Sequence, residues 1–191
     1  MVVIRSPLRM KFFKDVENPY YNEIFYTPLY RFNYYDGLVL GMALSNKTLL
    51  DKSFQYKITP SYSTKSNTVS GSASFQYEYL PENKKINRLS LGISGSNYHY
   101  APNLTYTTVK PYAFVEFRRK SLRDVRSKAL GASFTFIDKE RSPTQTEHIE
   151  TNKYSVFNLG YGYSSPGIID DVRFSTGLEV SSKFSKLSVT A

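Results

Sequence analysis

The chain has 191 residues, no cysteine and no tryptophan, 17 tyrosines, 13 phenylalanines and a formal charge of +9. Without cysteine there is no disulfide scaffold and no thiolate metal site. No apolar run approaches the ~20 residues of a transmembrane helix; the longest, from Gly37 to Leu44, has 8. Transmembrane strands are not excluded by that count, and the Tyr and Phe content favours strands over helices.

In chain order, residues 1–7 lack the features of a secretory signal, because Arg5 interrupts the apolar stretch. Residues 1–23 read as a lead-in with a weak strand over 8–14, and strands are expected to fill residues 24–191. Residues 24–35 are aromatic-rich and carry Pro28; residues 37–46 place Leu38, Leu40, Met42 and Leu44 on one face. Asp36-Gly37 between them is a two-residue hairpin signal.

Alternation then recurs. Phe54, Tyr56, Ile58 and Tyr62 alternate with Gln55, Lys57 and Thr59. The clearest stretch runs from Val69 to Tyr79, with apolar or aromatic residues at odd positions and Ser, Gln or Glu at even ones. Leu89, Leu91 and Ile93 alternate with Ser90, Gly92 and Ser94. Further strands are marked by Val109, Ala113, Val115 and Phe117, by Leu130, Ala132, Phe134 and Phe136, by Phe157, Leu159, Tyr161 and Tyr163, and by Val172, Phe174, Leu178 and Val180. The last residues, Leu187 to Ala191, still alternate, and we expect the chain to be part of a longer protein.

The pattern predicts an all-β fold, an antiparallel meander of about ten strands with almost no helix. It would make one domain, or a fragment of one, over residues 1–191, forming part of an outer-membrane-type β-barrel. In seven of these strands the apolar register carries no charge, and Lys57, Glu78, Lys110, Glu116, Arg173 and Glu179 fall on the other register. A soluble sandwich also splits its faces in this way. Strand length, a Gly- and Ser-rich polar face, and tyrosines near strand ends (Tyr62, Tyr77, Tyr79, Tyr98, Tyr100, Tyr163) favour a membrane. The register predicts that Phe75→Arg disrupts assembly while Gln76→Arg is tolerated.

Scattered strings carry a resemblance. Lys11-Phe12-Phe13-Lys14-Asp15-Val16-Glu17-Asn18-Pro19, Tyr34-Tyr35-Asp36-Gly37, Asn46-Lys47-Thr48-Leu49-Leu50-Asp51-Lys52, Tyr98-His99-Tyr100-Ala101-Pro102 and Tyr154-Ser155-Val156-Phe157-Asn158-Leu159 are among them. Together they resemble the C-terminal β-barrel region of Bacteroidota zinc metallopeptidases of the gluzincin aminopeptidase type. Asp36-Gly37 before an apolar strand is also shared with surface-antigen barrels of the barrel-assembly type. The resemblance implies an outer-membrane context in a Gram-negative bacterium and a peptidase domain upstream, in the same parent protein.

The chemistry of such a peptidase is not expected in this chain. A gluzincin site needs His-Glu-x-x-His on a helix. Here the two histidines, His99 and His148, are 49 residues apart, and Glu147-His148-Ile149-Glu150 lacks the second imidazole. No catalytic, cofactor-binding or metal-ligating residue is expected, and no cofactor. Arg118, Arg119, Lys120, Arg123, Arg126 and Lys128 form the densest basic cluster. It reads as a solvated loop or as a surface for anionic headgroups. Nucleic acid is not an expected partner, because its recognition interleaves aromatic and basic residues on one sheet face. The expected partners are membrane lipid and a soluble domain of the parent protein.

Overall fold

A computed structural model describes residues 7–12, 18, 20–47, 52–82, 85–102, 104–121, 123–141, 153–167 and 171–190. Eleven strands follow in chain order: β1 (Leu8–Phe12), β2 (Asn22–Asn33), β3 (Gly37–Ser45), β4 (Phe54–Ser63), β5 (Thr68–Tyr79), β6 (Ile86–Ala101), β7 (Leu104–Phe117), β8 (Ser127–Lys139), β9 (Lys153–Ser165), β10 (Val172–Ser181) and β11 (Ser185–Thr190). They form one sheet in sequence order. No helix occurs among the described residues. The order is open: β1 and β11 end it, and no pairing joins them among the described residues.

One pairing corrects the expected antiparallel meander. β1 runs parallel to β2, with Leu8 opposite Asn22 and Phe12 opposite Tyr26. β1 reaches only as far as Tyr26, which leaves Pro28 on an edge, where a strand tolerates a proline.

The Asp36-Gly37 turn also differs from expectation. Asn33 pairs with Gly37, so the turn holds three residues, 34–36. Gly37 has φ +69°, a conformation costly for any residue with a Cβ. Asn33 shapes the turn from within. Its Oδ1 accepts from the Tyr35 N–H at 3.2 Å, and its Nδ2 donates to Asp36 Oδ2 at 3.1 Å.

The chain divides into two compact units. The first comprises Met1–Phe75, Ser94–Thr107 and Lys139–Gln145; the second comprises Gln76–Ile93, Thr108–Asp138 and Thr146–Ala191. In the first, register places Tyr26, Pro28, Tyr30 and Phe32 of β2 beside Leu44, Met42, Leu40 and Leu38 of β3. Leu40 and Leu44 in turn meet Tyr62 and Ile58 of β4. In the second, Leu130, Ala132 and Phe134 of β8 meet Tyr161, Leu159 and Phe157 of β9. The row continues through Thr176, Leu178 and Val180 of β10 to Val189, Leu187 and Ser185 of β11. Neighbouring strands thus keep their apolar residues in one register, as cross-strand pairing requires.

Candidate membrane-facing surface

Much of the apolar register is exposed, although in β7 Lys110 and Phe114 of the other register are exposed while Ala113, Val115 and Phe117 are half-buried. Leu40, Tyr62, Phe75, Leu91, Ile93, Leu130, Phe136, Leu159, Phe174, Leu178 and Val180 all present large accessible surface. Among the described residues the buried hydrophobic side chains are Phe25 and Val39, whereas Glu23, Asp36, Ser63, Ser70, Ser90 and His99 are buried polar ones. This inverts the usual partition of a water-soluble domain. A contiguous apolar surface of this kind marks contact with something other than water.

In the first unit the polar register is knitted by side chains. His99 Nδ1 lies 2.8 Å from Asp36 Oδ1, with both residues buried. Ser66 Oγ donates to the same Asp36 oxygen at 2.9 Å, and Ser66 and Thr68 hydroxyls are 2.8 Å apart. The network ties the β2–β3 turn, the β4–β5 turn and the end of β6. Nearby, Thr59 Oγ1 donates to the Ser72 carbonyl and Ser61 Oγ to the Ser70 carbonyl, each at 3.0 Å. Lys11 and Glu23 pair at 3.0 Å. A cleft of about 320 Å³ in this unit is lined by Leu29, Arg31, Thr59, Ser61, Ser72 and Asn97, among others. Its Thr59 and Ser61 hydroxyls donate to backbone carbonyls.

The second unit combines aligned glycines with part-buried polar pairs. Gly131, Gly160 and Gly177 align across β8, β9 and β10, and Ser133 meets Asn158, which meets Glu179. The Tyr112 hydroxyl donates to Gln76 Oε1 at 2.9 Å, and Gln76 Nε2 donates to Glu78 Oε1 at 2.7 Å. The Tyr112 ring lies over Gly92, and a Cβ there would collide with the ring. Arg88 pairs with Glu116 at 3.0 Å.

Of the charges expected on the polar register, Lys57 lies opposite Ser45 and Glu179 opposite Lys186, in that register. Glu78 and Glu116 enter the contacts just described, and Arg173 pairs with Asp171 at 2.8 Å. Lys110 is exposed.

The basic cluster lies in the β7–β8 connection. Arg118 is anchored there: its N–H donates to the Lys85 carbonyl at 2.9 Å and its Nη2 to the Pro81 carbonyl at 3.1 Å. Asp124 holds the Arg126 side chain through two bonds, 2.7 Å from Nε and 3.1 Å from Nη2, and accepts a third from the Arg126 backbone N–H at 3.1 Å. The side-chain hydrogen bond from Arg126 lowers the Asp124 carboxyl to about 2, and the same bond raises the Arg126 guanidinium. Lys128, at the start of β8, places Nζ 5.9 Å from the Tyr163 ring centroid.

No group of three or more His, Asp or Glu side chains converges among the described residues, and His99 is engaged by Asp36. His148 and its neighbours Glu147 and Glu150 lie outside the described residues. The Asp36–His99 pair escaped sequence reading, which saw Asp36 only as a turn residue. The available signal was a lone histidine between two tyrosines, Tyr98 and Tyr100, at a strand end.

No protein-family model, curated protein or solved structure matches the chain.

Proposed function

We propose that this chain is a non-catalytic part of an outer-membrane β-barrel, which embeds a larger protein in the membrane of a Gram-negative bacterium. The observation that carries the reading is the inversion of burial: apolar side chains point outward while Asp36, His99, Ser63 and Ser70 are buried. The apolar register meets acyl chains, and the polar register lies on the side away from lipid. Strands of 9–16 residues from β2 to β10 are long enough for this role, since a tilted membrane strand needs ~9–11. The remainder of the barrel comes from further strands. The tethered partner is a soluble domain of the same parent protein, which the resemblance makes a zinc metallopeptidase of the aminopeptidase type.

The lack of native tryptophan gives a direct test. Leu159→Trp places a fluorophore on the apolar register and Asn158→Trp places one on the other. In vesicles containing lipids with brominated acyl chains, the Leu159→Trp protein should be quenched strongly and the Asn158→Trp protein weakly. Equal quenching at both positions, or a folded monodisperse chain in plain buffer, overturns the reading in favour of a soluble β domain.

A further inference from the structure

The β7–β8 connection carries Arg118, Arg119, Lys120, Arg123 and Arg126 against a single acidic residue, Asp124, and Lys128 follows at the start of β8. Asp124 is spent on Arg126. Arg118 fixes the connection to the Pro81 and Lys85 carbonyls, so the basic segment is held against its neighbour at defined points. Arg119, Lys120 and Arg123 are exposed. Beside this charge sit exposed apolar groups, Val125 on the same connection and Leu80 just past the end of β5. Lys128 lies on the apolar register opposite Tyr163 and reaches over its ring, the posture of a lysine at a membrane boundary whose stem stays apolar while its head finds polar surroundings.

Apolar strand, then tyrosine, then a run of cations with an apolar side chain among them is the order of chemistry met on leaving a bilayer through an anionic headgroup layer. Nucleic acid fits less well, because Arg119, Lys120 and Arg123 lie in a connection that holds no aromatic residue, whereas single-strand binding interleaves aromatic and basic residues.

Resting on the membrane reading above, we propose that the β7–β8 connection binds the phosphates of anionic lipid headgroups, with Arg119, Lys120 and Arg123 as the contacting cations. The surface selects lipid by charge. Val125 enters the headgroup boundary and keeps the cations at phosphate depth.

The test uses the full chain carrying Val125→Trp, reconstituted in mixed phosphatidylcholine and phosphatidylglycerol vesicles. In parallel samples one lipid or the other carries bromines near the top of its acyl chains. The proposal expects several-fold stronger quenching by the brominated phosphatidylglycerol, and equal quenching by both lipids once Arg119→Ser, Lys120→Ser and Arg123→Ser are combined. Equal quenching by the two lipids before those substitutions overturns it. So does loss of the preference on adding inorganic phosphate at constant ionic strength, which would make the surface a free-anion site. Failure of the membrane reading itself looks different: neither lipid quenches Val125→Trp, and Leu159→Trp is not quenched either.

Discussion

The two units solve the same problem with different materials. Phe25, Val39, Glu23, Asp36, Ser63, Ser70 and His99, all fully or nearly fully buried, belong to the first; the second has Ser90. In the first, bulky polar groups meet one another, and a histidine and a carboxylate are satisfied by each other and by hydroxyls. In the second, aligned glycines lie beside the Tyr112–Gln76–Glu78 chain and the Arg88–Glu116 pair, whose members are only part-buried. A Gly- and Ser-rich strand reads alike in both. What separates them is whether turn residues fold back onto the polar register, as Asp36 and Ser66 do.

The comparison breaks most readily on the face the two units have in common. Leu40→Arg in the first and Leu159→Arg in the second each put a cation on the apolar register. Each should lower stability in bilayers by about 2–4 kcal/mol if its site lies near mid-membrane, read by urea unfolding from vesicles. A large loss in one and none in the other would restrict lipid contact to a single unit. A smaller loss distinguishes the interiors. His99→Leu removes the partner of a buried carboxylate and should cost about 1–3 kcal/mol, with the amides of residues 64–68 exchanging faster. An unchanged exchange pattern would mean that the network does not hold the turns.

Smaller again is Gly92→Ala in the second unit. The new Cβ must push the Tyr112 ring aside and break its bond to Gln76, a loss of about 1 kcal/mol. Tyr112→Phe should reproduce most of it, and the double variant should cost no more than Gly92→Ala alone; additive losses would contradict the assigned contact. The least effect concerns pH. Asp124 titrates at about 2, below the ordinary 3.8, so its bond to Arg126 favours the folded connection above pH 3.8 and is lost as pH falls through about 2. Between pH 7 and 4 the Arg126 Nε–H should therefore stay protected from exchange in NMR spectra, and protection that vanishes by pH 4 would refute the pairing.

Much of the sheet was legible because alternation is a local property. The run from Val69 to Tyr79 is strand β5 almost to the residue, and Gly37 to Leu44 lies within β3. The parallel β1–β2 pairing was not legible, because neither strand's sequence records the direction of its neighbour. The Asp36–His99 pair was hidden for a related reason. Its members are 63 residues apart and meet only because β2–β3, β4–β5 and β6 lie side by side. The exposure pattern of β6 also changes parity, with Leu91 and Ile93 outward at odd positions and Tyr98 outward at an even one. The Gly92-Ile93-Ser94-Gly95-Ser96 string between them gives alternation little to register, so His99 could not be assigned a face by counting from Leu89.

The parallel pairing of β1 concentrates what holds this end of the sheet. A parallel ladder is slightly weaker per residue than an antiparallel one, and β1 has five paired residues, four of them exposed. Its side chains add to that ladder: Lys11 pairs with the buried Glu23, Arg9 lies over the Tyr21 ring and Phe12 packs edge-on against Tyr26. Removing β1 would uncover a backbone edge along residues 22–26 of β2 and take the lysine away from Glu23, so this short strand covers a hydrogen-bonding edge and a buried charge together.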